Sequence, residues 1–389
     1  MKRIYLDNSA TTPMCKEALE AYTAVATESY GNPSSRHRMG QEALAIIREA
    51  EKEVLLSLGT KEGRVIFTSG GTEGNNLAIF GRAFAKERYA RGGKILTTLG
   101  EHASVGAPLE SLLLKGFQKK EISTKGGVLD LEELAREADK SVFLATFMEA
   151  NNETGALYDI ASAADILRAS SPDCALHIDA TPSFMKHPLS PKTLGADMIT
   201  VSSHKVEGPK GVGALWVSPA LLKSRGLSPL LLGGGQQDGL RSGTENVSGI
   251  AGFAAALRAF RTKSAERREK VEALREHLLK GLAAEALKES VIPLLPPVSL
   301  PNILNIEVKG MRSETVLNHL SGRGIYVSAG SACSSHDAHL SEALLAYGKT
   351  RDGADSSVRV SLCYRNTEED IDALLTVLAE IVATRQKKR

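Results

Sequence analysis

No two of the four cysteines, Cys15, Cys174, Cys333 and Cys363, form a Cys-x-x-Cys pair; they lie scattered along 389 residues. That scatter argues against both a disulfide frame and a zinc site, and four free thiols suit a reducing compartment. Long apolar runs are also missing. No stretch of 18 apolar residues occurs, and the opening MKRIYLDNSATTP lacks the apolar core of a signal peptide. A cytosolic, cytoplasmic chain with no membrane span is therefore expected. Charge of one sign is equally scarce: 48 basic against 46 acidic residues leave a net +2. With no basic stripe interleaved with aromatics, direct contact with nucleic acid is not expected. The basic end RQKKR (385–389) reads as a solvated helix terminus. Neither a Walker A loop nor G-x-G-x-x-G is present, so nucleotides are not favoured.

What remains is an ordinary globular composition, 42% hydrophobic and 24% charged, in a chain long enough for one large core plus a second unit. Short β-branched runs alternate with amphipathic stretches: RVIFTS (64–69), KILTT (94–98), SVFLATF (141–147), ALHIDA (175–180), DMITVSS (197–203) and GALWVS (213–218). That alternation predicts an α/β domain with a mainly parallel sheet. From 247 to about 288 the pattern is helical, one or two long helices bridging toward a smaller unit. VIPLLPPVSLP (291–301) reads as a proline-rich connection that interrupts regular structure. NILNIEV, IYVS and SVRVSLC follow as strands, with helices near 313–321, 340–346 and 367–385, an α+β pattern.

Three stretches carry possible chemistry. TSGGTEGNNLAI (68–79) follows a strand and opens a helix. Its glycines would let the backbone approach an anion, although a plain strand-to-helix turn looks the same. ALHIDA ends a strand on Asp179, which is costly to bury without a cation or protonated nitrogen beside it, or else caps the next turn. Lys205 ends the next run, either a solvated lysine or a buried amine kept for carbonyl chemistry. An anion-cradling turn, a strand-end carboxylate and a strand-end lysine on one sheet together suit pyridoxal 5'-phosphate: its phosphate, ring nitrogen and aldehyde.

The chain resembles the cysteine desulfurase family of the pyridoxal-phosphate fold type I superfamily, on the branch that serves iron–sulfur cluster assembly and thiolation. The resemblance rests on YLDNSATTP (5–13), YGNPSSRH (30–37), FTSGGTEGNNLAI (67–79), EH (101–102), NNETG (151–155), HIDA (177–180), SSHKVEGPKG (202–211), GGGQQDGLRSGTEN (233–246), SAGSACSS (328–335) and SVRVSL (357–362). It implies a large α/β cofactor domain over 15–255, with a seven-stranded type of sheet. A smaller α+β domain would be made of 1–14 and 256–389 and carry the Cys333 loop.

By that similarity Lys205 binds the cofactor covalently and moves the substrate's α-proton, while His102 stacks on the ring and assists protonation. Asp179 is the partner of the ring nitrogen. Gly71, Thr72, Ser202 and His204 match the phosphate cradle, with Thr244 supplied by the other subunit of a homodimer. Asn152 contacts cofactor and substrate, and Arg359 grips the carboxylate of L-cysteine, a bidentate task suited to guanidinium. Cys333 is the expected nucleophile, leaving L-alanine and a persulfide for an acceptor protein. Cys15, Cys174 and Cys363 read as ordinary apolar residues.

The pattern breaks in places. Pro182 stands where the family has a glutamine that donates to the cofactor's ring hydroxyl, so a perturbed pKa of the lysine–cofactor linkage and reduced activity are expected. Leu157, Tyr158 and Asp159 replace a Gln-Pro ending, Met185 replaces a usual glycine, and Gln237 replaces a common glutamate. Two alternatives stand beside the desulfurase: selenocysteine lyase-like chemistry on the same scaffold, and a non-enzymatic dimeric partner with an eroded pocket.

Overall fold

Runs that are apolar on both faces are satisfied only in a sheet covered on both sides. A computed structural model describes residues 2–86, 92–330 and 340–386, without the side chains of 385 and 386. Cys333, and of the basic end everything except the helical backbone of its first two residues, lie outside the described residues. The described residues form twelve strands: β1 (Ile4–Tyr5), β2 (Arg64–Thr68), β3 (Lys94–Thr98), β4 (Gln118–Ile122), β5 (Val142–Met148), β6 (Ala175–Asp179), β7 (Met198–Ser202), β8 (Gly213–Val217), β9 (Val291–Leu294), β10 (Ile303–Val308), β11 (Ile325–Tyr326) and β12 (Ser357–Ser361).

Seven of them make one sheet in the order β2-β8-β7-β6-β5-β3-β4. It is parallel except for β8, which runs antiparallel to both β2 and β7. Every residue of β5, β6, β7 and β8 is buried, as their unbroken apolar runs require. The register aligns their carboxyl ends: Met148 faces Asp179, and Asp179 faces Thr200. Helix Gly71–Ala83 packs against these strands, and one glycine permits its close approach. A Cβ on Gly74 would sit 2.7 Å from Thr200 Cγ2.

A second sheet, antiparallel in the order β12-β10-β9, is covered by helices Ser264–Leu282 and Glu368–Gln386. The helical stretch after 247 resolves into two helices, Val247–Thr262 and Ser264–Leu282, parted at Lys263 where φ is −126°. The proline-rich expectation for 291–301 needs correction, since its first four residues are strand β9. Pro293 fits because β9 is an edge strand, where a missing amide hydrogen costs no ladder bond on the open side. Strand β4 (QKKEI) was not foreseen because it too is an edge, held by charge: Lys119 pairs with Glu110 at 2.5 Å and Glu121 at 2.7 Å. Strands β1 and β11 pair in parallel, and a bridge between Asp7 and Ser361 ties the N-terminal segment to β12. Among the described residues no helix is long and apolar enough to cross a membrane.

Candidate active site

The carboxyl ends of β5, β6 and β7 open onto a cleft of about 180 Å³. It is lined by Gly71, Thr72, His102, Asn152, Asp179, Ser202, His204, Lys205 and Arg359, together with Ser9, Ala10, Asn75, Ser104, Thr181 and Pro182. A strand-end cleft is where open α/β sheets bind ligands. Lys205 reaches it because β7 ends in a single tight turn, Ser203–Lys205. Its side chain is half-buried and Nζ donates to the carbonyl of Ser9, so it is not a solvated surface lysine.

The N-terminal segment braces this turn. Thr12 N and Oγ1 both donate to the His204 carbonyl, at 2.9 and 2.8 Å. The Glu207 amide donates to the same Thr12 hydroxyl at 2.9 Å. His204 Nδ1 faces Thr11 Oγ1 at 3.2 Å. Burial pushes His204 down to about 4, helped by the neighbouring positive charges of Lys205, Lys210 and Lys186, so its imidazole is neutral at pH 7.

The anion cradle takes shape at the start of helix Gly71–Ala83. First-turn amides of a helix have no partners within it and point outward. Beside them the buried hydroxyls of Ser202 and Thr181 have no hydrogen-bond partner among the described residues. A Cβ on Gly71 would come within 3.1 Å of Thr181 Oγ1, so the gap between them is kept clear by a glycine. Orphaned donors around an open glycine turn fit a phosphate. Thr181 escaped the sequence reading; only its place two residues after Asp179 hinted at it.

Asp179 is 3% exposed, and its carboxylate accepts from Asn75 Nδ2 at 2.8 Å and from the Thr181 amide at 2.9 Å. Asn75 Nδ2 also donates to Ser104 Oγ at 2.8 Å. Ser104 Oγ in turn lies 2.8 Å from His102 Nδ1. His102 is the N-cap of helix Ala103–Leu113, its Nδ1 accepting the Ser104 amide at 3.1 Å. Asn75 and Ser104 were not singled out from sequence, since a serine after EH and an asparagine in TEGNN are unremarkable as residue types. Behind Asp179, His177 is buried between Thr146 Oγ1 at 2.7 Å and Thr200 Oγ1 at 2.9 Å. Burial drives it down to about 4, against the pull of Asp179, which keeps it neutral.

Arg359, 2% exposed, points from β12 with NH2 on Asp7 Oδ1 and NH1 on the Asn152 carbonyl, both at 2.9 Å, while Nε has no partner among the described residues. Two anchors fix the plane of the guanidinium, and the remaining donors suit a carboxylate. Glu153 lies beside it, raised by burial although Ser341 Oγ donates to it at 2.5 Å and Arg359 and His102 favour its charge.

The departures from the family pattern also find their places. Pro182 lines the cleft and offers no donor; its carbonyl accepts from Lys186 Nζ at 3.1 Å. Lys186 is pushed down to about 7 by burial and by the charges of Lys205 and Arg359. Met185 adopts φ 65°, the left-handed conformation that a glycine takes without strain. Gln237 does what a glutamate could not: its amide accepts from Phe67 N at 2.7 Å and donates to Phe67 O at 2.9 Å. Asp159 caps helix Ile160–Ser170 through the Ser162 amide at 3.0 Å. Thr244 is exposed on its loop and does not line its own chain's cleft. Cys15 and Cys174 are buried and Cys363 half-buried, all three free thiols pushed up by burial.

Comparison with known proteins agrees with this geometry. The model of the class-V aminotransferase family matches residues 4–374. A cysteine desulfurase of Archaeoglobus fulgidus is 37% identical over 380 residues, 97% of this chain and 96% of that protein. A solved NifS-like protein superposes with a TM-score of 0.90 at 36% identity, covering 98% of this chain and all of that one. A structure of the protein SspA in complex with cysteine gives a TM-score of 0.79 at 29% identity, over 94% of this chain and 100% of the other. With a half-buried strand-end lysine, a clear phosphate turn and near-full-length relatives, this chain belongs to the class-V aminotransferases, pyridoxal-phosphate proteins, and among them to the cysteine desulfurases.

Proposed function

We propose that the protein converts L-cysteine to L-alanine with pyridoxal 5'-phosphate, forming a persulfide on Cys333 that passes to an acceptor for iron–sulfur cluster assembly or tRNA thiolation. The carrying observation is the convergence, in one cleft, of the Lys205 amine, the Asp179 carboxylate, the orphaned Ser202 and Thr181 hydroxyls and the anchored Arg359 guanidinium. The SspA structure that superposes on this chain holds cysteine. Bound here, the cofactor supplies an electron sink for a carbanion at the substrate α-carbon.

The chain's own residues do the rest. Gly71, Thr72, Ser202, Thr181 and His204 would hold the phosphate, and Asp179 would keep a proton on the ring nitrogen. Arg359 binds the substrate carboxylate, with Asn152 beside it. Lys205 Nζ takes the α-proton and is well placed for it, since it ends a short turn braced by Thr12. The Cys333 thiolate attacks the substrate sulfur: a sulfur–sulfur bond forms as the carbon–sulfur bond breaks. The bonding pair stays on carbon, which takes a proton and becomes the methyl of alanine. The thiolate is the reactive form.

A homodimer completes this reading. The exposed Thr244 would complete the other cleft's cradle as Thr244 of the partner subunit. Free thiols among the described residues, Cys15, Cys174 and Cys363, support the cytoplasm as its compartment.

The test is alanine and sulfide release from L-cysteine, with and without dithiothreitol, in the wild type and Cys333→Ala. Wild type is expected to make alanine and, with dithiothreitol, sulfide; Cys333→Ala makes neither. Equal turnover in the variant removes Cys333 from the reaction, and a cofactor-loaded wild type that makes no alanine removes the activity.

A further inference from the structure

The hydrogen-bond chain behind the cleft has donor and acceptor roles fixed by chemistry. An ionised carboxylate only accepts, so the Asn75 group 2.8 Å from Asp179 Oδ2 is its amide nitrogen and not its oxygen. The second hydrogen of that nitrogen goes to Ser104 Oγ at 2.8 Å. The Ser104 hydroxyl hydrogen is then left for His102 Nδ1, 2.8 Å away. The Ser104 backbone amide, a donor in every state, points at the same Nδ1 from 3.1 Å. A ring nitrogen that faces two donors keeps its lone pair, so the neutral imidazole carries its proton on Nε2. Adding a second proton, on Nδ1, would break the bond from the Ser104 amide and force the Ser104 hydroxyl to turn from donor to acceptor. Asn75 is 1% exposed and Ser104 8%, and neither takes part in the chemistry above.

We propose that Asn75 and Ser104 are positioning residues for the reaction, which together hold His102 as its Nε2–H tautomer and tie the imidazole to the Asp179 carboxylate. The proposal rests on the reading of His102 as the group beside the cofactor. The ring can then donate from Nε2 toward the cleft but cannot act as a base there. Among the described residues, the other titratable or charged groups around it are Glu101 next in sequence, Glu153 from the turn after β5, and Lys205 and Arg359 in the cleft wall. None of these changes in the variants below.

The experiment is a pH titration of the holoenzyme labelled with 15N-histidine. The His102 signals, among nine histidines, are identified by their loss in His102→Gln. The wild type is expected to show a protonated Nε2 and an accepting Nδ1 at neutral pH. Ser104→Ala removes one of the two donors, so His102 takes up its second proton at a pH higher by about 0.5–1 unit, the equivalent of one ordinary hydrogen bond. Asn75→Ala shifts it the same way, and the double variant adds little, because both residues act through one chain. Ser104→Thr keeps hydroxyl and amide and titrates as the wild type. An Nδ1–H tautomer in the wild type, or an unshifted titration in both alanine variants, overturns the proposal. These signals do not depend on turnover. An inactive wild type with the expected tautomer would refute the desulfurase reading and leave this one standing.

Discussion

At the residue scale one cleft gathers most of the residues that the motifs singled out, and Pro182 is where its lining departs from the family pattern. It lines the wall where a side-chain amide would donate, and its carbonyl accepts from Lys186 Nζ. Pro182→Gln would add a donor to that wall. It is expected to shift the pH midpoint of the bound cofactor's absorption change, read by spectrophotometric titration; an unchanged midpoint would show that the proline costs the site nothing. Lys205 and Asp179 were legible because each is a charged residue at the end of an apolar run, an expensive place without a task, whereas Arg359, in the middle of β12, came only through the resemblance of SVRVSL. Asn75, Ser104 and Thr181 were not legible. Their work is hydrogen bonding to groups 29, 104 or 2 residues away, and the amino-acid type does not announce it.

At the element scale, helix Gly71–Ala83 sets the cradle by lying close against β7. Gly74→Ala would place a methyl 2.7 Å from Thr200 Cγ2, on a side chain whose hydroxyl is held by His177 at 2.9 Å. Overpacking of about 1–3 kcal/mol outweighs the roughly 1 kcal/mol that alanine gains in a helix. A lower Tm and weaker cofactor binding are expected together; an unchanged or higher Tm would show that the helix can lift without loss. The central strands were legible from their unbroken apolar runs. Edge strands β4 and β9 were not, because an edge carries lysines or a proline that elsewhere would mark a loop.

At the scale of the whole molecule, burial shifts charges that stability must then follow. Glu101, held by Thr98 Oγ1 at 2.8 Å and the Met148 amide at 3.1 Å, is pushed by burial from the usual 4.5 up to about 8. The folded chain keeps this proton while the unfolded chain releases it, so folding takes up a proton between those two values. Stability therefore falls as pH rises from about 4.5 to about 8, by up to roughly 1.4 kcal/mol per pH unit from this group. Glu101→Gln removes that contribution. Its denaturation midpoint should fall less than the wild type's between pH 5 and 8, and parallel midpoints would place the Glu101 proton in solvent.

The sequence by itself determined the class of fold and the identity of the charged groups, because apolar periodicity and the cost of burying a charge are both local properties of the chain. Only tertiary structure decided which hydroxyls stay unpartnered around Gly71, which glycine admits a helix against a strand, and which way the protons run from Asp179 to His102. Those depend on distances between residues far apart in the chain, and packing alone sets them.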